Sequence, residues 1–290
     1  MRPWKDPGES SWTRTALLAA SGPAGAQPAP VEITVCADGE RADSDRDGLS
    51  DTCESALASA FAPILAAWTG SCNWVRSSDS GRLGGGYLHV VQPVGAVVRI
   101  AYMPAYFRDC GWSGPKCRIP WVDCSPHAGD SEIIIVEVRR APNTRTWSFE
   151  GVFLSAHCFR GSSRSCRWYR GSDFAGFTWL GATPVIWVSE GRNANYPSWQ
   201  ACDGGHYLLD TCDRHDTWYR FPVDPLRNAG SRLAPRAGSG CILGAELADV
   251  LVDPDAEECF WRSDRPFGGW QGSGDGVTPY ARYLSEIGEF

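Results

Sequence analysis

Twelve cysteines constrain this chain more than any other feature of its sequence. Zinc ribbons need paired Cys-x2-Cys knuckles, and the sequence has none. Many of the cysteines lie at short separations in Gly/Ser-rich sequence, which favours disulfide bonds and an oxidising compartment. Spacing leaves the connectivity open, although close neighbours are reasonable pairs. Three such pairs are Cys110 with Cys117, Cys158 with Cys166, and Cys202 with Cys212.

Length and charge exclude several classes of protein. The chain has 290 residues, of which 43% are hydrophobic, so it can bury a sizeable core. Its 32 glycines and 20 prolines follow no period, and no heptad is present, which excludes collagen and coiled coil. No run of about 18 apolar residues exists, so we predict no transmembrane segment. The net charge is −7, and Lys5 and Lys116 are the only lysines, which argues against a nucleic-acid partner.

We divide the sequence into three parts. Residues 1–30 are interpreted as a leader or disordered lead-in, because the apolar run 15–20 precedes Ala24-Gly25-Ala26, which resembles a signal-peptide cleavage site. Residues 31–68 contain a calcium loop and a helix, and residues 69–290 form a β-sandwich domain. A leader and a disulfide framework together predict a secreted or extracellular protein.

Strand-like segments dominate the third part. Helical patterning is confined to Asp51 to about Ala62 and to short stretches at 245–252 and 280–287. The expected fold is therefore mainly β, a disulfide-linked β-sandwich with long loops and a few short helices. The five clearest strand segments, each with Gly, Pro or Asp nearby, are Tyr87–Gln92, Val97–Met103, Glu132–Arg139, Phe149–Ala156 and Val185–Ser189.

The segment from Asp43 to Glu54 has the spacing of a calcium-binding loop. Counting Asp43 as the first position, carboxylates fall at positions 1, 3, 5, 9 and 12, with glycine at position 6. Gly48 permits the sharp turn, and the next residue offers its backbone carbonyl. The predicted calcium ligands are Asp43, Asp45, Asp47, Leu49, Asp51 and Glu54.

The alternative for this segment is an acidic solvated turn that caps the next helix, with Asp51 as the N-cap. The loop resembles the calcium repeats of thrombospondin type 3, which implies a structural calcium. A disulfide between Cys36 and Cys53 would clamp the loop. We expect the helix to end near Ala62, because Pro63 interrupts its apolar stripe and leads into an extended segment.

A second group of ligand-type residues precedes the apolar run 133–136. If a strand begins near Asp130, the carboxylates of Asp130 and Glu132 point to the same face, and His127 can fold back over Gly129 toward them. Such a group would share a second divalent cation. On spacing alone, a solvated strand end is the simpler interpretation.

Three short segments resemble the vacuolar protein sorting-associated protein 62-like family. They are the His-x-Gly-Asp-x-Glu of residues 127–132, the segment Phe153–His157, and the segment Gly191–Pro197. Two positions depart from the family pattern, because Ser131 stands where Trp is usual and Asn193 where His is usual. These departures predict that the family's site is weakened or altered here.

The spacing of His127, Asp130 and Glu132 also resembles that of the necrosis- and ethylene-inducing peptide-like cytolysins. Those proteins are β-sandwiches that hold a divalent cation at the sandwich edge and engage sphingolipid head groups. The resemblance implies that the three residues are metal ligands. His157, at a predicted strand end, would approach the same cation or hydrogen-bond a ligand carboxylate. The alternative for His157 is a half-buried histidine satisfied by backbone groups.

Familiar catalytic motifs are missing from the sequence, including Gly-x-Ser-x-Gly, His-Glu-x-x-His and the phosphate-binding loop. Four tryptophans in loop-like sequence are candidates for stacking on a sugar or inserting at a lipid surface, namely Trp112, Trp121, Trp199 and Trp270. We therefore expect a secreted calcium-binding protein that binds a surface glycan or lipid head group with help from a divalent cation. The alternatives are a metal-dependent hydrolase that uses the His/Asp/Glu site and a purely structural extracellular protein. The oligomeric state stays open.

Overall fold

The computed structural model describes eleven stretches of the chain. They are residues 28–36, 42–43, 48–68, 87–104, 106–111, 127–130, 132–156, 167–181, 183–203, 210–212 and 217–220. Mainly β structure fills these stretches, as the strand patterns predict. Several predicted features lie wholly or partly outside the described residues. They are the predicted leader or lead-in at 1–30, the predicted helices at 245–252 and 280–287, and the cysteine pairs Cys110–Cys117 and Cys158–Cys166.

The larger sheet has six antiparallel strands, five of them in the order β1-β8-β7-β4-β3. One edge of β8 pairs with β7. The other edge pairs with β1 near the start of β8 and with β9, the sixth strand, near its end. Its strands are β1 Val31–Glu32, β3 Tyr87–Val94, β4 Val97–Pro104, β7 Ile134–Arg140, β8 Thr146–Leu154 and β9 Arg167–Arg170. The first five residues of β7 are all buried, whereas its last two are not. The sheet is therefore covered on both faces at the end where β7 begins.

The smaller sheet is mixed. Its order is β10-β11-β2-β13, with β12 also paired to β11, and β2 runs parallel to β11 while every other pair is antiparallel. The strands are β2 Ile64–Ala67, β10 Thr178–Leu180, β11 Thr183–Val188, β12 Asn195–Tyr196 and β13 Thr217–Arg220. A separate two-stranded ribbon joins β5 Tyr106–Asp109 to β6 His127–Asp130.

The core lies between the two sheets and beneath a helix, α1, which spans Asp51–Ala60. Leu57 of α1, Val136 of the larger sheet and Ile186 of the smaller sheet are fully buried in it. The Tyr102 hydroxyl donates to the Ala58 carbonyl at 2.7 Å, which attaches β4 to the helix. Residues 31–68 thus contribute a strand to each sheet and a helix to the common core.

Helix α1 begins and ends for local reasons. Ser50 is the N-cap, and its hydroxyl accepts from the Cys53 amide at 3.2 Å. The prediction that Asp51 caps the helix was wrong by one residue, because Asp51 is already helical and contributes charge to the first turn, where the helix dipole favours it. Pro63 cannot continue the helix, so the chain extends into β2 one residue later, as expected.

All five predicted strands are present, with ends that differ by up to three residues. The assumption that the third begins near Asp130 was wrong. Asp130 pairs with Tyr106 in the ribbon, whereas β7 begins at Ile134 and pairs with β4 and β8. The chain changes sheet between these strands, so the argument that Asp130 and Glu132 share a strand face no longer holds.

A charged cluster on the face of the larger sheet opposite α1 fastens β9 to its neighbours. Glu137, which is 7% exposed, accepts from Arg99 Nε at 2.8 Å and from Arg170 Nη2 at 3.0 Å. The ring of Trp168 lies 5.0 Å from the Arg99 guanidinium and 4.3 Å from that of Arg170. A side chain at Gly151 would come within 3.1 Å of Arg170, so the glycine makes room for the cluster.

An aromatic cluster closes the core near the 3₁₀ turn Gly171–Gly176. The ring of Phe149 meets Phe174 and Trp179 edge-on, with centroids 5.4 and 5.2 Å away. Burial in this region raises the pKa of Tyr169, despite the opposing effect of the nearby Arg167.

Candidate functional site

Glu132 lies just before β7 and is 8% exposed. Its carboxylate accepts a short hydrogen bond from the hydroxyl of Ser155, which follows β8 and is also buried. The Ser155 amide donates to the Ile133 carbonyl at 3.1 Å, so the antiparallel pairing of β7 and β8 continues to this point. A carboxylate is therefore held in the interior at the end of the larger sheet.

Asn195 attaches this end of the larger sheet to the smaller one. It is paired with Val188 across β11 and β12, and it is 1% exposed. Its backbone amide donates to the Ser155 carbonyl at 3.0 Å, and its side-chain Nδ2 donates to the Glu132 carbonyl at 3.1 Å. No described residue forms a hydrogen bond with its Oδ1. Asn195 of the smaller sheet is thus hydrogen-bonded to backbone carbonyls at the end of the larger sheet.

The loop from Ser189 to Asn195 contacts the β5–β6 ribbon, so the ribbon lies at the same end of the larger sheet as Glu132. The Cys110 amide, just after β5, donates to the Gly191 carbonyl at 2.6 Å. Ser189 supports the loop, because its hydroxyl accepts from the Ala194 amide at 3.0 Å. Asn193 is fully buried with a φ of 60°, a conformation that Asn adopts more readily than most residues.

The segments that carry the predicted cation site are therefore neighbours. Strand β6, which contains His127 and Asp130, pairs with β5, whose end contacts the loop that leads to Asn195. Within the described residues, no group of three His, Cys, Asp or Glu side chains could hold a metal. His157 lies outside the described residues, as do Trp112, Trp121 and Trp270.

Trp199 is the one predicted ligand-binding tryptophan that the structure describes. It is 40% exposed, and it begins the short helix α2, Trp199–Asp203, rather than lying in a loop. The predicted disulfide between Cys202 and Cys212 is confirmed and anchors this helix. Beside it, the hydroxyl of Tyr196 forms a short hydrogen bond with the buried carboxylate of Asp210. Trp199 thus lies on a helix that a disulfide bond and a neighbouring buried hydrogen bond hold in place.

Part of the predicted calcium loop is described. Gly48 has a φ of 98°, and its amide donates to Asp43 Oδ2 at 3.0 Å, so the sharp turn expected at this glycine is present. Glu54 is 2% exposed in the first turn of α1, where Asp51 also lies. Leu49 is half-buried, whereas Asp45 and Asp47 lie outside the described residues.

The disulfide between Cys36 and Cys53 is confirmed, with a Cα–Cα distance of 4.6 Å. It joins Cys36, which precedes the loop, to Cys53, the eleventh position of the loop, as the sequence predicts. Every described cysteine is disulfide-bonded, which fits an extracellular protein. In the described part of the chain, no helix is long and apolar enough to cross a membrane.

Sequence reasoning did not assign a role to Ser155 or Asn195. Both lie in segments that carry the family resemblance, in which His157 and Asn193 are the residues that the motifs single out. The available signal was the concentration of small polar residues directly after buried strands, where such residues have backbone groups to satisfy.

Comparison with known proteins finds solved structures that match part of the chain at low identity and low TM-score. No family model matches the chain, and no curated protein matches it. A solved structure described as a toxin fold for microbial attack and plant defense is 14% identical, with a TM-score of 0.33, over 54% of this chain and 69% of that chain. The non-toxic HaNLP3 protein is 15% identical, with a TM-score of 0.31, over 55% of this chain and 73% of its own.

A third solved structure, NLPPya in complex with mannosamine, is 16% identical, with a TM-score of 0.31, over 57% of this chain and 81% of its own. The structural neighbours are thus NLP, or necrosis- and ethylene-inducing peptide-like, proteins. Likeness to the vacuolar sorting and thrombospondin families rests on the short motifs alone. Similarities of this size do not assign the chain to a family.

Proposed function

We propose that this chain is a secreted protein that binds the hydroxyl-rich head group of a surface glycan or glycolipid at the sandwich edge near Glu132, with help from a divalent cation. A structural calcium in the loop 43–54 stabilises the fold. The observation that carries the proposal is the hydrogen-bonded group of Glu132, Ser155 and Asn195, which joins three segments that are far apart in the sequence.

Burial of the Glu132 carboxylate supports a cation at this edge. An ionised carboxylate is costly to bury unless hydrogen bonds or an opposite charge compensate it. A divalent cation is one such opposite charge, and it prefers oxygen ligands. Glu132 would hold the cation together with His127 and Asp130, which lie only a few residues away on β6. His157, two residues after Ser155, would hydrogen-bond one of these ligands.

The exposed position of Trp199 supports a sugar ligand. It lies four positions after Asn195, and a chain of four extended residues spans at most about 14 Å. An indole ring offers a flat apolar face for the C–H side of a sugar, while a cation or carboxylate binds the hydroxyl groups. Because the disulfide Cys202–Cys212 fixes α2, the ring is presented with little loss of conformational entropy.

The geometry around Gly48 and the Cys36–Cys53 disulfide support the structural calcium. The turn keeps the Asp43 side chain close to the loop backbone, and the disulfide holds both ends of the segment against the core. A calcium ion would offset the mutual repulsion of the loop's carboxylates. Such a role stabilises the protein and leaves ligand binding to the sandwich edge.

A binding experiment tests the proposal. The purified, oxidised protein is applied to an array of neutral, amino and acidic glycans, including mannosamine, and to phosphatidylcholine vesicles with and without glycosphingolipid. Each probe is measured in calcium, in magnesium and in EDTA. We expect binding to a restricted set of glycans, or to glycosphingolipid vesicles only, and loss of that binding in EDTA. Binding that is absent from every probe, or unchanged in EDTA, contradicts the proposal.

Two matched pairs of variants locate the site. Trp199→Ala is compared with Val35→Ala, the other exposed large apolar side chain among the described residues. Glu132→Gln is compared with Glu150→Gln, whose side chain is 36% exposed and pairs with Arg139. We expect the first member of each pair to weaken binding at least about tenfold and the second to leave it unchanged. Equal effects within a pair would place the binding surface elsewhere.

A further inference from the structure

We infer that one end of the larger sheet docks on an anionic lipid surface through two neighbouring turns and three arginines. The turns join β3 to β4 and β7 to β8, and residues 94–97 and 139–145 together are called the hairpin end. It lies at the opposite end of β7 from Glu132, because β7 begins just after Glu132 and its seven residues span about 23 Å. The inference is therefore independent of the proposed function and adds a second contact surface.

Strand pairing brings the two turns together. In the larger sheet β8, β7, β4 and β3 are consecutive neighbours, so the β7–β8 and β3–β4 hairpins lie side by side. Val98 of β4 lies opposite Val138 of β7, and Val94 lies opposite Val97 across the β3–β4 turn. Both turns therefore leave the sheet at the same end.

The β7–β8 turn concentrates positive charge in a chain whose net charge is −7. Between Glu137 and Glu150 the sequence has no acidic residue and three arginines, Arg139, Arg140 and Arg145. Arg139 and Arg145 are exposed, and Arg140 is half-buried. Consecutive strand residues point to opposite faces, so Arg139 and Arg140 lie on the two sides of the turn. Guanidinium groups are good ligands for phosphate, which every anionic phospholipid carries.

Two described carboxylates near this end reduce its charge without cancelling it. Glu150 lies 3.6 Å from Arg139 Nε, and both side chains are exposed, so the pair is weak. Glu32 is exposed and lies opposite Thr146 where β1 pairs with β8. Three arginines against these two carboxylates leave an excess of positive charge.

The turns themselves are uncharged and largely apolar. In the first turn Gly95 and Ala96 are exposed, and the valines on either side of them are half-buried. The second turn exposes Pro142, Asn143 and Thr144. Small apolar groups at a turn can enter the head-group region while arginines beside them bind phosphates. A soluble polyanion would use the arginines only, so the apolar turns favour a lipid surface.

Hydrogen bonds within the β7–β8 turn hold it in one conformation. Arg140 Nε donates to the Thr144 carbonyl at 2.7 Å. The Thr144 hydroxyl donates to the Ala141 carbonyl at 3.0 Å and accepts from the Thr146 amide at 3.1 Å. Because the turn is already ordered, it loses little conformational entropy when it docks.

Vesicle sedimentation tests the inference. The purified, oxidised protein is mixed with phosphatidylcholine vesicles that contain or lack phosphatidylglycerol. We expect binding only where phosphatidylglycerol is present, and less binding as salt is added. An arginine near an anionic surface contributes about fivefold to partitioning, so Arg139→Gln and Arg145→Gln should each weaken binding by about that factor. Arg145→Lys keeps the charge and should keep most of the binding.

Three further variants serve as controls for charge and position. The side chain of Arg167 is 46% exposed and ion-paired, as is that of Arg139, but Arg167 lies opposite Leu154 at the other end of β8. Arg167→Gln should therefore leave binding unchanged, whereas Glu32→Gln should strengthen it about fivefold. At the β3–β4 turn, Ala96→Glu should weaken binding more than Ala96→Gln, which is similar in size. Melting temperatures show that each variant is folded.

Three results would overturn the inference. Equal binding to both kinds of vesicle, or to neither, means that the protein does not recognise anionic lipid. Equal effects of Arg145→Gln and Arg167→Gln mean that net charge matters and the hairpin end does not. Binding to dextran sulfate without binding to vesicles identifies the arginines as a site for a soluble polyanion. Glu132→Gln should bind phosphatidylglycerol vesicles as the wild type does, so failure of the proposed function is detected separately, in the glycan assay.

Discussion

The side-chain amide of Asn195, in the smaller sheet, donates to the backbone carbonyl of Glu132, at the edge of the larger sheet, over 3.1 Å. The two residues are 63 positions apart in the chain. Their contact is polar and buried, and it lies at the end of the sandwich where both faces of β7 are covered. A polar contact of this kind fixes how the two sheets meet, because few other arrangements satisfy the same groups.

The Ser155 hydroxyl positions the Glu132 carboxylate. We predict that Ser155→Ala lowers the free energy of unfolding by about 1–3 kcal/mol, because a hydrogen bond to a buried charged group is lost. Urea denaturation gives the value. Ser148→Ala, at a half-buried position near the start of β8, is the control and should change stability by less than about 0.5 kcal/mol. Equal losses in the two variants would mean that the hydroxyl does not support the carboxylate.

The disulfide Cys36–Cys53 clamps the acidic loop. Replacing both cysteines with serine should cost about 3 kcal/mol, the value for a loop of this length, and should weaken calcium binding. Thermal melting in calcium and in EDTA measures both effects. A double variant that melts lower but keeps its full calcium-dependent gain would show that the clamp stabilises the fold without shaping the loop.

Gly48 is required for its backbone conformation alone. A Cβ at this position would meet no atom within 4 Å, but the φ of 98° strains any other residue. We expect Gly48→Ala to cost about 1–2 kcal/mol and to reduce calcium affinity. Gly176→Ala has equally open space without a positive φ, so it should be nearly neutral. Similar melting temperatures for the two variants would contradict the strain argument.

Glu137 neutralises two arginines on the face of the larger sheet that lies away from α1. Glu137→Gln should destabilise the protein by about 1.5–3 kcal/mol, because hydrogen bonds to a buried charge are weakened and two guanidinium groups keep their charge. Glu150→Gln, which breaks an exposed pair 3.6 Å long, should cost less than about 1 kcal/mol. Urea denaturation at fixed ionic strength compares them. A Glu137→Gln variant as stable as Glu150→Gln would show that the charge of Glu137 contributes no more to stability than an exposed ion pair does.

Local signals in the sequence determined much of the secondary structure. Apolar residues with flanking turn residues predicted five strands, and Pro63 predicted where α1 gives way to β2. The pairs Cys36–Cys53 and Cys202–Cys212 were also predictable, because short separations between cysteines leave few partners nearby. These features depend on residues close together in the chain, and propensity and chain connectivity act at that range.

Only the tertiary structure decided which residues meet at the sandwich edge. The pattern around Asp130 favoured one strand through Glu132, but pairing with Tyr106 placed Asp130 in a separate ribbon. The link from Asn195 to Glu132 and Ser155 depends on how two sheets pack, and it has no local signature. Strand order and inter-sheet contacts are set by the total burial and hydrogen bonding of the chain. No single segment determines the strand order or the contacts between the sheets, because both depend on the whole fold.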